Sequence, residues 1–533
     1  MTIPRAARSR TAALALTLTA GLALAPFAST ASAGEAQDAL TLSPLGTYST
    51  GAFAEGASEI VAYDPQHHRA FVVNAFAGTV DVLDISDPTQ PTKAATLDTP
   101  GANSVAVRHG LVAVAQQAEV KTDPGTLTLF DATSLEQTGE VTVSALPDMV
   151  TITDNGSYAL VANEGEPEGY CEGQVDPEGS ISVVDLRRGA ARATVRTADF
   201  RAFNSQVDAL RDAGVRIYGP GASVAQDLEP EYITVSGNKR TAYVSLQEAN
   251  AIAVVDIASA RVTDIRPLGL KDHSVAGQGL DASDKDDAIN IATWPVKGMY
   301  QPDAIEAFRA RGGEYLVTAN EGDAREWDCY AEESRIADLE LDPTVFPDAK
   351  TLQSKMAIGR LNATTTSPQN AAGQYTELHV LGGRSVSVRD AATGALVWDS
   401  GDQLERLIAD RVPELFNANH DEDDSFDNRS DNKGPEPEGL DVGKVEGRTY
   451  AFVGLERVSG LVAVDVSDPR RAALAGFGLN RDAEGEAEAG TAGDLGPEGV
   501  HFVSAGESPT GTPLVLVGNE VSGTTTVWEV SGR

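Results

Sequence analysis

The sequence predicts an all-β fold, a seven-bladed β-propeller closed by an N-terminal strand, and three observations support this prediction. A short phrase recurs seven times along the chain, apolar runs rich in β-branched residues follow each copy, and turn residues separate the runs. Repeats of short strands at this period are typical of propellers, in which each repeat forms one blade. The residues at the recurring position of the phrase are Glu59, Ser104, Asp148, Glu231, Asp303, Glu438 and Glu498.

A second recurring position lies at the end of the next apolar run in each repeat. In a blade the first strand lines the central channel and the second strand runs antiparallel to it, so the start of one and the end of the other lie at the same face. Ring closure should therefore collect the carboxylates of both positions around one channel mouth. The residues at the second position are Ala75, Gln117, Glu164, Gln247, Glu321, Glu456 and Glu520.

Carboxylates that are held close together need a partner. Like charges repel and raise one another's pKa unless a cation or a hydrogen-bond donor lies among them. A hard cation with oxygen ligands, calcium, would satisfy such a ring. The alternative is that these acids cap backbone amides where neighbouring blades meet.

The repeats set the expected boundaries of the blades. Blades one to four are predicted at residues 52–99, 100–144, 145–188 and 228–268, and blades five to seven at 301–399, 434–476 and 495–530. The seventh blade has three strands of its own, and residues 40–48 are the candidate for its outer strand, which would remove an open sheet edge. Insertions are expected at 189–227, 269–300, 323–378 and 400–433, with helical spacing of apolar residues in 200–215 and 402–416.

Residues 1–33 have the pattern of a secretory signal peptide, and we assign residues 34–533 to a single propeller domain. Arg5, Arg8 and Arg10 precede an apolar stretch, and small residues at 31–33 suit a cleavage site. Since the chain ends at Arg533, soon after the last repeat, we expect the mature protein to be secreted and released.

A formal net charge of −38 excludes nucleic-acid binding through phosphates, and no further stretch has the length and hydropathy of a membrane span. We therefore expect an extracellular monomer whose partner is an extracellular ligand or a phosphoester.

The chain contains two cysteines, Cys171 and Cys329. Each follows an Ala-Asn-Glu-Gly phrase at nearly the same distance, which places both in loops on one face. In an oxidising compartment such a pair usually forms a disulfide.

Residues 417–439 form the densest group of candidate metal ligands. Calcium takes about six to eight oxygen ligands and tolerates irregular loops. The alternative is a solvated acidic linker, but Arg429, Lys433 and an expected buried Phe426 favour a folded loop. The acids of this stretch are Asp421, Asp423, Asp424, Asp427, Asp431, Glu436 and Glu438.

Arg429, Lys433 and Arg457 are candidates for binding a phosphate or another anion beside a metal. The alternative is that they neutralise the acidic ring. No sequence motif of a protein nucleophile is present, so no catalytic residue is assigned and any hydrolysis would use a metal-activated water.

Five phrases resemble those of the bacterial choice-of-anchor I proteins, secreted propellers similar to the mesenchyme-specific cell-surface glycoproteins of animals. The phrases are residues 162–165, 319–322, 425–431, 433–439 and 518–523. Some members are labelled alkaline phosphatases, and the Glu-Pro-Glu-Gly phrases are similar to those of phytase-like propellers with bridging calcium. This resemblance implies metal ligation by Glu436, Glu438, Glu498 and Glu520, and phosphate contacts from Arg429 and Lys433.

Two functional hypotheses result. The first is a secreted calcium-binding propeller whose acidic, loop-decorated face binds an extracellular ligand or matrix component. The second is a metal-dependent phosphoesterase; a redox propeller lacks the expected axial histidine or cysteine. The candidate metal ligands are Asp424, Asp427, Asp431, Glu436, Glu438, Glu498, Glu164, Glu321, Glu456 and Glu520.

Overall fold

The strands form seven four-stranded antiparallel sheets in the computed structural model, which describes residues 39–532. In sheets 1 to 6 the four strands follow the order of the chain, so each repeat folds on itself. The apolar runs become middle strands such as Arg69–Asn74 and Ala251–Asp256, nearly every residue of which is buried. Continuous apolar runs between turns are typical of strands covered on both faces, and here the neighbouring sheets cover them.

The strands of sheets 1 to 3 extend over the following residues: Val61–Asp64, Arg69–Asn74, Thr79–Asp84 and Thr92–Asp98; Ala102–Arg108, Leu111–Gln116, Pro124–Asp131 and Gln137–Ala145; Pro147–Ile152, Tyr158–Asn163, Ser180–Asp185 and Thr194–Asp199. Those of sheets 4 to 6 are Ile233–Val235, Thr241–Leu246, Ala251–Asp256 and Arg261–Pro267; Ile305–Ala310, Gly313–Asn320, Ser385–Asp390 and Leu396–Asp399; Pro437–Val445, Arg448–Leu455, Gly460–Asp465 and Ala473–Leu479. Sheet 7 contains Pro497–Val503, Leu514–Asn519, Thr524–Gly532 and the N-terminal Leu40–Ser49.

The predicted start of the first insertion at residue 189 is wrong. Thr194–Asp199 pairs antiparallel with Ser180–Asp185 as the outer strand of sheet 3. This strand is largely exposed and polar, because the outermost strand of a blade faces solvent. It therefore lacks the apolar pattern by which the inner strands are recognised.

The N-terminal strand closes sheet 7, as predicted. Leu40–Ser49 pairs antiparallel with Thr524–Gly532, and Leu40 and Leu42 are buried in a cluster that includes Trp528. The innermost strand of each sheet contacts that of the next, and the innermost strand of sheet 7 contacts that of sheet 1. The sheets thus form a closed ring, and the fold belongs to the β-propeller class.

The insertions form small sheets and short helices with their own apolar core, which includes Leu280, Phe346 and Ile358. The small sheets pair Leu270–Asp272 with Lys297–Met299 and His379–Val380, Glu326–Trp327 with Tyr330–Ala331, and Glu333–Arg335 with Asn362–Thr364. The α-helices are Val207–Ala213, Val224–Asp227, Ala349–Leu352 and Gln403–Arg411, and the 3-10 helices are Ala190–Arg192, Arg201–Gln206, Ile336–Asp338 and Pro413–Leu415. Helices are thus present in both segments predicted to contain them. Within residues 39–532 no helix has the length and hydropathy to cross a membrane, and the predicted signal peptide lies outside the described residues.

Cys171 and Cys329 form the expected disulfide. It joins the loop after the second strand of sheet 3 to the equivalent loop of sheet 5, and the Tyr170 N–H donates to the Asp328 carbonyl beside it at 2.9 Å. The corresponding loop of sheet 2 joins this group, because Lys121 Nζ lies 4.0 Å from the centre of the Trp327 ring. Loops of three sheets are therefore held together on one face.

We expect replacement of both cysteines by serine to lower the free energy of unfolding by about 2–4 kcal/mol, because the bridge closes a long loop in the unfolded chain. The bridged residues are 158 positions apart. Denaturant unfolding of the wild type and the double-serine variant measures the difference. An unchanged free energy of unfolding would show that the loops are held by their other contacts alone.

The glycine of the Glu-Pro-Glu-Gly phrase allows neighbouring innermost strands to approach closely. A Cβ atom added at Gly439 would lie 1.7 Å from the carbonyl oxygen of Glu498, and one at Gly499 would lie 2.5 Å from that of Glu59. Any side chain at these glycines would therefore push apart the strand starts that carry the ring of acids.

We expect Gly439→Ala to destabilise the protein by about 1–3 kcal/mol or more, because it overpacks the contact between the innermost strands of sheets 6 and 7. Gly506→Ala is the matched control, since a Cβ atom there would have no neighbour within 4 Å. Thermal unfolding compares the two variants. Equal melting temperatures would mean that the strands can separate at no cost.

Candidate metal centre

The acidic residues of both recurring positions converge on one mouth of the central channel. Each second position directly follows the second strand of its sheet, as Glu164 follows Tyr158–Asn163 and Glu520 follows Leu514–Asn519. A cavity of about 200 Å³ lies at this mouth. Its polar lining consists of Asn103, Ser104, Asp148, Glu164, Glu231, Tyr232, Gln247, Asp303, Glu321, Glu438 and Glu498.

Burial and mutual repulsion raise the pKa values of these acids. Burial, with Glu520 and Asp148 nearby, raises the pKa of Glu59 to about 8, and burial with Glu166 raises that of Asp148 to about 7. The pKa of Glu438 is also well above its ordinary value, because of burial and then the negative charges around it. The mouth therefore concentrates more negative charge than it can hold ionised without cations.

On one arc of the mouth, beside sheets 5 and 6, positively charged side chains of the protein neutralise the carboxylates. Glu436 is fully buried and pairs with Arg429 at 2.6 Å, Lys433 at 3.1 Å and Arg457 at 3.1 Å. Burial opposes ionisation of Glu436, but Lys433, Arg429 and Arg457 outweigh it and hold the pKa of this carboxyl well below its usual range. The three cations predicted as anion contacts thus surround Glu436.

Lys433 links this cluster to the next acid. Its Nζ lies 2.7 Å from Glu321 and donates to the Gly322 carbonyl at 2.6 Å. The potential ligand atoms of Glu321, Glu436 and Glu456 all lie within 4.8 Å of one another. The ammonium group therefore neutralises a set of carboxylates that is compact enough for an ion.

His420 provides a nitrogen ligand beside this arc. A nitrogen of His420 and oxygens of Glu456 and Glu520 lie within 4.8 Å of one another, and His420 Nδ1 is 3.2 Å from Glu456. Burial and the charge of Arg457 lower the pKa of His420 to about 4, so its ring is neutral at physiological pH. This histidine lies within the acidic stretch at residues 417–439, to which the sequence analysis assigned only carboxylate ligands.

A third group of carboxylates has no such cations. Oxygens of Glu164, Glu231 and Glu248 lie within 4.8 Å of one another, and Glu231 and Glu248 each have a buried oxygen without a hydrogen-bond partner. Glu248 was missed by the sequence analysis. It follows the second recurring position of its repeat, where Gln247 stands, and only the fold brings it next to Glu231.

Three predicted metal ligands of the acidic stretch lie apart from these groups. Asp424 is exposed; Asp427 accepts a hydrogen bond from the Ser430 hydroxyl, and burial raises its pKa to about 8. Asp431 pairs with Arg335 at 2.9 Å and with Arg360 at 2.7 Å. Among the described residues, none of the three belongs to a group of three or more potential ligands.

The expectation that Phe426 is buried is wrong. Its side chain is 42% exposed, although its ring centre lies 6.5 Å from that of the buried Phe416. The loop is nevertheless folded, because Asn417 binds Ser430 and Arg429 binds Glu436.

Comparison with known proteins identifies a family. The model of the choice-of-anchor I domain matches residues 59–469. A mesenchyme-specific cell surface glycoprotein of Strongylocentrotus purpuratus is 31% identical over 351 residues, which are 58% of this chain and 43% of that protein. Gigasin-3a of Magallana gigas is 29% identical over 191 residues, which are 34% of this chain and 67% of that protein. The chain thus matches less than half the length of the sea urchin protein.

Solved structures show more distant similarity. The match to hydrazine synthase of Kuenenia stuttgartiensis covers 91% of this chain and 100% of the hydrazine synthase chain, at 13% sequence identity and a TM-score of 0.46. The match to the β-propeller domain of Cps50 (Swd1) from Myceliophteria thermophila covers 92% of this chain and 100% of that domain, at 9% sequence identity and a TM-score of 0.42. At these values the similarity supports no inference about function.

The raised pKa values predict how stability depends on pH in the absence of metal. In the folded state Glu59 and Asp148 have pKa values of about 8 and about 7, above the ordinary values of 4.5 and 3.8. The folded state therefore binds more protons than the unfolded state, and its stability is lost as pH rises through this window. We expect the melting temperature of chelator-treated protein to fall between pH 5 and about 8.

Melting temperatures measured across this range test the expectation. Glu59→Gln should reduce the slope, because it removes one repelled carboxylate, whereas Glu136→Gln, which changes an exposed acid, should leave it unchanged. A melting temperature that rises over the range would contradict the assignment of repelled acids to the mouth.

Proposed function

The chain belongs to the choice-of-anchor I family, and on this premise we propose that it is an extracellular β-propeller that binds calcium at the acidic channel mouth. Through the ion and the loops around it, the same face would bind an extracellular ligand or matrix component. The name of the sea urchin relative, a cell surface glycoprotein, supports an extracellular location. The disulfide supports it too, since such bonds persist in oxidising compartments.

The observation that carries the calcium proposal is a set of buried carboxylate oxygens without hydrogen-bond partners. An ionised carboxylate out of water and without a partner is costly, so it either takes a proton or holds a cation. The acids around the cavity number more than the protein cations that reach them. Oxygens of Glu231, Glu248, Glu436, Glu438 and Glu498 at this mouth lack hydrogen-bond partners, and of these the Glu436 oxygen is in ion-pair contact with Lys433 and Arg457.

The chemistry of the ligands favours calcium over a softer metal. The acids that line the cavity offer carboxylate oxygens, and the neutral His420 lies at one edge with Glu456 and Glu520. Hard cations such as calcium prefer oxygen ligands and accept irregular geometry, whereas zinc favours nitrogen and sulfur. Extracellular calcium modules bind with dissociation constants of about 10⁻⁴–10⁻³ M, and we expect an affinity in this range.

We do not extend the proposal to phosphoester hydrolysis. Arg429, Lys433 and Arg457 would be the contacts for a phosphate, but all three pair with the buried Glu436. Releasing them would leave that carboxylate buried and unpaired, which typically costs about 3–5 kcal/mol. A phosphate dianion would also meet the remaining acids of the mouth.

We expect calcium to raise the melting temperature of chelator-treated protein, because a ligand that binds only the folded state stabilises it. At 100 times the dissociation constant the gain would be about 2.7 kcal/mol. Calorimetric titration and thermal unfolding measure binding and stability in parallel. Sodium chloride at equal ionic strength is the control for screening of the net charge.

The outcome against the proposal is clear. If neither a heat of binding nor a calcium-specific shift of the melting temperature is observed, the ring of acids caps backbone amides or remains protonated. The control variant Glu136→Gln, at an exposed site, should respond to calcium as the wild type does.

A further inference from the structure

We propose that calcium binds between sheets 3 and 4, at Glu164, Glu231 and Glu248, and that Lys433 takes the place of an ion on the neighbouring arc, between sheets 5 and 6. This inference rests on the proposed function and adds a location. Glu164 follows the second strand of sheet 3, Glu231 precedes the innermost strand of sheet 4, and Glu248 follows the second strand of sheet 4.

The spacing of the three carboxylates suits one calcium ion. One oxygen from each lies within 4.8 Å of the other two. Calcium–oxygen distances are about 2.3–2.6 Å, so two oxygens on opposite sides of one ion are separated by at most about 5 Å. A single ion can therefore contact all three residues, and bidentate carboxylates with water would complete its coordination.

Burial without partners is the second, independent observation. Glu231 is 8% exposed and Glu248 is 5% exposed, and one Oε2 atom of each has no hydrogen-bond partner. Glu231 lines the mouth cavity, and protein donors leave one oxygen of each carboxylate unsatisfied. A cation supplies the missing interaction.

The positive charges in this region are already engaged. Arg325 is 1% exposed, and its guanidinium binds Asp227 and, at 2.8 Å, Glu229. Lys121 Nζ lies 2.9 Å from Glu166. These pairs fix the loops beside Glu164 and Glu231. Arg325 also attracts Glu248, but burial outweighs this attraction and raises the pKa of that carboxyl to about 7.

The neighbouring arc, between sheets 5 and 6, provides the internal comparison. Glu321, Glu436 and Glu456 have the same 4.8 Å spacing. There, however, Lys433 lies 2.7 Å from Glu321, and Arg457 lies 3.0 Å from Glu456. An ammonium and a guanidinium group among the carboxylates occupy the space and supply the charge that an ion would bring.

Calorimetric titration of the full chain with calcium tests the location, using isosteric amide variants in each arc. Glu231→Gln and Glu248→Gln should each weaken binding at least about tenfold, because each removes a charged ligand. Glu321→Gln, the matched change beside Lys433, should weaken binding less than either of them, because Lys433 contacts Glu321 in place of the ion. The exposed Glu136→Gln should leave the affinity unchanged. Melting temperatures without calcium show whether each variant is folded.

The outcomes separate the two proposals. Wild-type protein that binds no calcium overturns the proposed function and this inference together. Wild-type binding that survives Glu231→Gln and Glu248→Gln but is lost in Glu321→Gln overturns the location and leaves the function standing. Equal loss in all three variants would also overturn it, because one ion would then be shared across the whole mouth.

Discussion

Electrostatic repulsion at one end of the channel is the constraint on which the rest of this structure depends. Closing a ring of repeats brings equivalent positions together, so an acid tolerated in one isolated repeat becomes part of a crowded group. The lining of the mouth cavity shows the result, and burial makes every unpaired charge more costly than it would be in water. The same closure that removes open sheet edges therefore creates an electrostatic problem that the protein alone solves only in part.

The two solutions differ along the ring. In the sheet 5 and sheet 6 arc, Lys433 reaches between Glu321 and Glu436, and Arg429 and Arg457 complete a network of ion pairs around Glu436. Such a network fixes side chains, since loss of one partner leaves another buried and unpaired. Between sheets 3 and 4, Glu231 and Glu248 keep oxygens without donors. If the proposed ion binds there, one blade architecture accommodates both a permanent internal cation and an exchangeable external one.

Much of the fold could be predicted because its signals are local. The apolar runs and turns predicted the sheets and the closing strand, and the recurring acids predicted the shared channel mouth. The two cysteines predicted the disulfide. The outer strand Thr194–Asp199 was missed because it is exposed and carries no apolar pattern. Glu248 was missed because its neighbour Gln247 occupies the recurring position, and the acids at 424–431 were expected to join a site from which the fold separates them. Whether such an acid joins the group at the mouth depends on contacts between distant repeats, and a single sequence does not show these contacts.

In the Glu-Pro-Glu-Gly phrase, Gly439 and its neighbour Glu438 both lie where the innermost strands of sheets 6 and 7 meet. Gly439 permits the carbonyl of Glu498 to approach the strand that begins with Pro437. Burial, and then the negative charges around it, Glu498 among them, raise the pKa of Glu438 well above its ordinary value. The distance between the innermost strands therefore sets both how tightly they pack and how closely their carboxylates approach. A wider ring would relieve the repulsion but would lose the apolar contacts between sheets. The ion that we propose at the mouth would relieve the repulsion without changing the radius of the ring, so cation binding and close packing would favour the same structure.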